Sequence, residues 1–251
     1  MAGHSKWANI KRQKARVDAK KGKTFTQLSR AIIVAARNGV ADPSGNFQLR
    51  TAIDKAKAAG IPNDNIERAI AKGAGTYTDD AILEEIRYEG YGIAGVAVLI
   101  EALTDNRNRT AAYVREAFRK NGGNLGETGC VSWMFTQKGV VTIVGQFDEE
   151  QILEACLEAE ADSYEIYDDE EENQQIAEIF TTIESLETVN NALMDGEFNV
   201  KEAQLRWIPK DNVEISDPEH TKYLERLMDT LESLDDVQNV TANFELIEDG
   251  V

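Results

Sequence analysis

The sequence predicts an α+β protein of three domains: an N-terminal helical bundle, an α+β middle domain, and a ferredoxin-like domain inserted into the middle domain. Three observations lead to this prediction. Apolar residues recur at helical spacing up to Gly73, strand and helix patterns alternate after it, and residues 139–209 show the order β-α-β-β-α-β. The predicted domain boundaries are 1–76, then 77–136 together with 210–251, and 137–209 for the insertion.

The bundle is predicted from three stretches in which apolar residues recur every three or four positions. Each stretch is closed by a helix-ending glycine, at Gly39, Gly60 and Gly73. Pro62 lies at or next to the start of the third helix, where its fixed φ and missing N–H are tolerated. Three short helices at this spacing make a small bundle.

The middle domain is predicted from strands with little helical cover of their own. Ser216–Glu219 form a capping box that begins a late amphipathic helix. Because the strands before residue 136 have only one helix, this late helix and the last strand are needed to cover them. Residues 137–209 then become an insertion between the two halves. The predicted strands are 86–89, 96–102, 129–135 and 237–247.

Charge is divided very unevenly along the 251 residues, whose formal net charge is −18. Residues 1–75 contain 15 Lys and Arg against 5 Asp and Glu, whereas residues 76–251 contain 12 against 40. The acidic part favours solubility and repels nucleic acid. Any contact with a polyanion is therefore expected in the basic part or on local basic islands.

The basic arm, residues 1–23, has eight Lys and Arg and a single acid, Asp18. A strongly basic arm on an acidic protein predicts polyanion binding, with phosphates as the ligands. Trp7 is expected either to stack on a base or to fill a surface groove. The predicted contacts of the arm are Lys6, Trp7, Lys11, Arg12, Lys14, Arg16, Lys20, Lys21 and Lys23.

A second basic island begins at Arg107 and Arg109, at the predicted start of a helix, and continues with Arg115, Arg119 and Lys120. The helix dipole favours acidic residues in the first turn of a helix, so cations at that position indicate a binding partner. Arg107 and Arg109 are therefore predicted as a second nucleic-acid contact. The alternative is that they form salt bridges with the abundant acids.

Two segments resemble cofactor-binding motifs, but the residues around each of them exclude that function. Gly90–Gly95 fit the dinucleotide pattern GxGxxG, but a strand follows where a helix is needed. Gly22-Lys23-Thr24 resembles the end of a phosphate-binding loop, but the earlier glycine is replaced by Val17. The sequence therefore predicts a non-enzymatic protein with no catalytic residue, no cofactor and no small-molecule substrate.

Histidines and cysteines are too few for a metal centre. The chain has two of each, His4, His220, Cys130 and Cys156, without ligand spacing. No metal site is predicted, and the cysteines are expected to be packing residues in a reducing compartment. No apolar run is long enough for a membrane span and no secretory signal is present, so we expect a cytoplasmic protein without membrane contact.

Several stretches closely resemble the YebC family, which includes the mitochondrial translational activator of cytochrome c oxidase. The resemblance is most specific at GHSKW near the N-terminus and at DNRNRT, residues 105–110, and extends to the late LRWIPK. It implies the three-domain arrangement and a probable DNA-binding transcriptional regulator. Members are also assigned to translation, where they relieve stalling on the ribosome. The resemblance implies no catalytic residue, metal or cofactor.

Two functions follow as hypotheses. The first is a regulator of gene expression that binds nucleic acid through the arm and the bundle, with Arg107 and Arg109 as a second contact. On DNA it is expected to hold phosphates, because no helix-turn-helix frame is present. The second is a ribosome-bound translation factor whose arm reaches ribosomal RNA. A protein adaptor that uses the acidic ferredoxin-like part is a weaker third, and the sequence predicts no oligomeric state.

Overall fold

Helices and strands are mixed along the chain in this computed structural model, which describes residues 21–77, 83–169 and 173–247. The α+β prediction is confirmed. The described chain divides into two units, residues 136–208 and residues 21–135 with 209–247. The three-domain boundaries drawn from the sequence stay a prediction.

The elements are numbered in chain order. The described helices are α1 (Lys21–Asn38), α2 (Phe47–Ala58), α3 (Asn63–Gly73), α4 (Arg107–Lys120), α5 (Glu149–Glu158), α6 (Leu186–Asp195) and α7 (Pro218–Glu232). The described strands are β1 (Glu84–Tyr91), β2 (Ala97–Thr104), β3 (Asn124–Leu125), β4 (Phe135–Gly145), β5 (Ser163–Asp169), β6 (Gln174–Thr181), β7 (Val200–Pro209), β8 (Val213–Ile215), β9 (Val237–Ala242) and β10 (Phe244–Leu246).

Helices α1 to α3 pack around a small apolar core. The side chain of Asn46 caps α2 by accepting the N–H of Leu49 at 3.0 Å. Helix α3 approaches α1 closely because residue 73 is glycine: a Cβ there would lie 2.6 Å from the carbonyl oxygen of Ile33. The core of the three helices includes Leu49 and also takes in Leu103 of β2, so it is continuous with the sheet.

The sheet of this unit has the strand order β3-β1-β2-β9. Strands β1 and β2 are antiparallel, with Glu89 opposite Leu99. Gly90 allows Phe118 of α4 to pack against β1, since a Cβ at residue 90 would lie 2.7 Å from the phenyl ring. Helix α7 adds the buried residues Leu224 and Leu227, and β8 and β10 form a separate parallel pair.

Residues 136–208 form the second unit, with the element order β4-α5-β5-β6-α6-β7 and the strand order β5-β6-β4-β7. This is the split βαβ arrangement that the sequence predicts. Its antiparallel register places Val141 opposite Ile179 and Ile166 opposite Ala177. Ile152 of α5 and Leu193 of α6 are completely buried, as apolar residues at helical spacing should be.

Two local predictions are wrong. The segment 129–135 is not a strand: it is a loop with a 3-10 turn at Ser132–Met134, and β4 begins only at Phe135. The N-cap of α7 is Asp217, whose carboxylate accepts the N–H of Glu219 at 2.8 Å, and Ser216 is not part of a capping box. In the part of the chain that the structure describes, no helix has both the length and the apolar character needed to cross a membrane.

Candidate nucleic-acid interface

Most residues of the predicted basic arm lie outside the described residues, namely Lys6, Trp7, Lys11, Arg12, Lys14, Arg16 and Lys20. Lys21 and Lys23 belong to the start of α1, whose first turn contains no acid. Their side chains also lie outside the described residues. In the sequence, the basic arm directly precedes the N-terminal end of a long helix, and this end of a helix attracts anions.

Arg107 is the first residue of α4 and points to solvent. Its side chain is 70% exposed, and its Nε lies 3.8 Å from a carboxylate oxygen of Glu84, which is 53% exposed. Such an exposed pair contributes little stability. The hydroxyl of Tyr88 donates to the Arg107 carbonyl oxygen at 3.2 Å, so the backbone at this point is held while the guanidinium remains accessible.

Arg109 forms two ion pairs within the molecule, although its side chain is 39% exposed. Its Nη2 donates to Asp105 at 2.7 Å and to Asp236 at 2.9 Å, and its backbone N–H donates to the capping side chain of Asn106 at 3.0 Å. The salt bridges that the sequence raised as an alternative are thus present at Arg109, and its contact with nucleic acid stays a prediction. Arg107 and Arg109 lie at the same helix start, but Arg107 is the more exposed, at 70% against 39%, and Arg109 has the closer carboxylate partners.

Asp236 is the centre of a polar cluster beneath the start of α4. Its side chain is only 7% exposed. One carboxylate oxygen accepts from the Thr110 hydroxyl at 2.6 Å and from the Thr104 hydroxyl at 3.2 Å. Arg30 of α1 pairs with the other oxygen at 2.9 Å. The cluster therefore ties α1, β2, α4 and the turn before β9 together.

The pKa of Asp236 is displaced by opposing effects. Burial raises it, but the hydrogen bonds from Thr110 and Arg109 and the charge of Arg30 outweigh burial, so the net pKa lies below 3.8. The pKa of Asp236 is lower in the folded chain than in the unfolded chain, so the unfolded chain binds the proton more readily. The contribution of Asp236 to stability is therefore fully present above the unfolded pKa. It is lost as the pH falls through the lowered pKa.

We expect Asp236→Asn to lower the free energy of unfolding by about 2–4 kcal/mol at neutral pH, because it removes the charge that Arg30 and Arg109 share. The variant should also lose stability less steeply than wild type as the pH falls below about 4. Urea unfolding at several pH values measures both effects. Asp235→Asn changes the exposed neighbour and is the control. Parallel pH profiles for wild type and Asp236→Asn would contradict this account.

The outer side of α4 extends the positive surface. Arg119 and Lys120 both contact Glu116, at 2.9 and 3.2 Å, and the hydrogen bonds from Arg119 and Lys120 lower the pKa of Glu116 to about 2. Arg115 is exposed. The helix contains five cations and only this one acid, so it keeps a net positive charge within an acidic region.

An aromatic residue that was not predicted from the sequence lies on the loop between β3 and β4. Trp133 is 64% exposed. The loop is fixed by the carboxylate of Glu89, which is 3% exposed and accepts three backbone N–H groups at 2.8 Å, those of Gly129, Val131 and Ser132. Burial raises the pKa of Glu89, but these three hydrogen bonds outweigh it and leave the pKa lowered.

Two family models match the chain. One, described as the TACO1/YebC protein N-terminal domain, covers residues 5–76, and the other, described as the TACO1/YebC second and third domain, covers residues 83–244. The chain belongs to the TACO1/YebC family.

Relatives and a solved structure agree with this assignment. Proteins from Microcystis aeruginosa and Gloeothece citriformis, both named probable transcriptional regulatory proteins, are each 71% identical to this chain. The alignments cover 99% of this chain and 98% and 97% of those proteins. The crystal structure of a conserved hypothetical protein from Aquifex aeolicus is 44% identical, covers 94% of both chains and has a TM-score of 0.82. This TACO1/YebC chain thus resembles its relatives over its whole described fold.

Proposed function

We propose that this TACO1/YebC protein is a non-enzymatic, cytoplasmic regulator of gene expression that binds nucleic acid through its basic arm and its N-terminal helices. The observation that carries the proposal is the charge division, with 15 cations against 5 acids before residue 76 and 12 against 40 after it. Such a concentration of cations binds phosphates by releasing counterions. The names of the relatives, probable transcriptional regulatory proteins, support a regulatory role.

The start of α4 supplies the second contact in this proposal. Arg107 is exposed at its first turn and Arg115 follows on the exposed part of the helix. Arg109 forms ion pairs with Asp105 and Asp236, and these ion pairs hold the start of the helix in place. We therefore assign phosphate contact to Arg107 and a positioning role to Arg109.

A second candidate is a ribosome-associated translation factor whose arm contacts ribosomal RNA. The acidic character of residues 76–251 favours it, because an acidic body opposes wrapping along a DNA duplex, whereas a local basic segment suits insertion into folded RNA. The two candidates share the same arm and differ in the source of the phosphates.

Binding at matched salt separates the two candidates. The full chain is tested for co-sedimentation with purified ribosomes and, by fluorescence anisotropy, for binding to a 30-base-pair duplex. A transcriptional regulator should bind the duplex with an affinity that falls steeply with salt. Ribosome binding with no measurable duplex binding supports the translation factor. Binding to neither target would contradict both candidates.

A further inference from the structure

The indole of Trp133 is exposed on a rigid support. A tryptophan with 64% of its surface in solvent is unusual for a side chain that is ordinarily well buried. The 3-10 turn that bears it, Ser132–Met134, lies between β3 and β4, and Glu89 holds the backbone on its N-terminal side. An exposed aromatic residue on an ordered loop points to a binding role.

One further hydrogen bond fixes the indole ring, and three others hold the backbone around it. The indole Nε1–H donates to the Cys130 carbonyl oxygen at 3.1 Å, and the Tyr91 hydroxyl donates to the same oxygen at 2.9 Å. The Lys210 ammonium donates to the Trp133 carbonyl oxygen at 2.8 Å, and the backbone N–H of Lys210 donates to the Met134 carbonyl oxygen at 2.9 Å. Because the indole is already oriented, a ligand that packs on it loses little side-chain entropy.

The part of the Trp133 ring that makes no hydrogen bond indicates which ligand it can bind. The polar edge of the indole is already used by Cys130, so what remains for a partner is the flat aromatic surface. Lys210 is exposed, and a lysine ammonium has three donors, of which one contacts the Trp133 carbonyl oxygen. An exposed aromatic surface on a residue whose carbonyl oxygen binds an ammonium at 2.8 Å suits a base and its phosphate, the combination used by proteins that bind single strands.

We infer that Trp133 and Lys210 form a stacking site for one unpaired nucleobase, with its phosphate beside the Lys210 ammonium. The inference rests on the proposed function only in taking nucleic acid as the ligand. It adds a contact that is separate from the basic arm and that requires a single-stranded segment or an extruded base.

The first test compares Trp133→Ala, Trp133→Phe and wild type for binding to fluorescein-labelled 12-nucleotide rU and dT strands. Trp133→Ala should bind about 5- to 150-fold more weakly, and Trp133→Phe should fall between it and wild type. The slope of affinity against salt should stay as in wild type, because no cation is removed. Tyr223→Ala removes another exposed aromatic ring, on α7, and should bind as wild type does.

The second test follows the ring directly. The chain has three tryptophans, at positions 7, 133 and 207, so a Trp7→Phe, Trp207→Phe variant reports on Trp133 alone. Saturating rU or dT strands should quench its emission, and quenching by one of the two alone would identify RNA or DNA as the source. Thermal unfolding of each variant checks that its fold is kept, and Trp133→Phe keeps the test valid if Trp133→Ala does not fold.

Unchanged strand affinity in both Trp133 variants, or unquenched emission at saturation, would overturn the inference while leaving the proposed function in place. A loss of ribosome co-sedimentation without any loss of strand binding would overturn it too, because Trp133 would then contact a protein. If wild type binds a duplex or ribosomes but no single strand, only the stacking site fails. If it binds none of the three, the proposed function fails as well.

Discussion

Charge reversal of Lys11, Arg12 and Lys14 to glutamate is expected to remove most of the affinity of the chain for nucleic acid. Eight cations and one acid give the arm a net charge of +7, and the three reversals would leave +1. Because residues 76–251 are acidic, only the small excess of cations in residues 24–75 and the cations of α4 can compensate. We expect affinity at about 0.1 M salt to fall by about 100-fold, and the log-log salt slope to decrease by about 2 to 3.

A matched control separates this local effect from total charge. Reversal of Lys201, Lys222 and Arg226 produces the same change in net charge at exposed positions on β7 and α7. This control should bind within about threefold of wild type, because distant exposed charges are screened at this salt. Equal losses in the two triple variants would show a nonspecific charge effect. An arm variant with wild-type affinity and slope would exclude the arm as the contact.

Glu89→Ala is expected to lower the free energy of unfolding by about 3–5 kcal/mol, because it leaves three buried or half-buried N–H groups without an acceptor. These N–H groups belong to the loop that bears Trp133. Its ring should therefore become mobile, and the fluorescence anisotropy of Trp133 should decrease in the variant that retains only this tryptophan. Urea unfolding measures the loss of stability.

Two companion variants define what Glu89 contributes. Glu89→Gln keeps the shape and one oxygen, so its loss of stability should lie between wild type and Glu89→Ala. Glu85→Ala removes a carboxylate from the same strand, where it forms an exposed contact with Arg37 at 4.0 Å, and should cost less than about 1 kcal/mol. A Glu89→Ala protein as stable as Glu85→Ala would show that the loop does not depend on the carboxylate.

Elements with a strong local pattern could be predicted from the sequence, and those held by distant side chains could not. The helices of the bundle follow from apolar spacing and closing glycines, and the order β4-α5-β5-β6-α6-β7 follows from alternating strand and helix patterns. Residues 129–135 have strand-like composition. They form a loop because the carboxylate of Glu89 accepts N–H groups that would otherwise donate to a neighbouring strand. Glu89 lies 40 residues before Gly129, the first of these donors.

The candidate interface also combines features that were visible in the sequence with features that only the folded chain shows. The basic island at Arg107 and Arg109 was visible as charge against local preference. The ion pair between Arg109 and the buried Asp236 was not visible, since Asp236 is 127 residues away from Arg109 in the chain. Trp133 was missed because residue type alone does not reveal exposure, and most tryptophans are buried.

The sequence by itself determined the α+β class, the order of the elements in residues 136–208, the family, and the division between a basic N-terminal part and an acidic remainder. These properties depend on composition and on spacing between near neighbours, which are independent of how the chain closes on itself. Tertiary structure alone decided which arginine pairs with the buried Asp236 and which segment stays out of the sheet. It also decided which aromatic ring reaches solvent. Each of these outcomes depends on a polar group being desolvated beside a partner far away in sequence, and only the folded chain brings such groups within hydrogen-bonding distance.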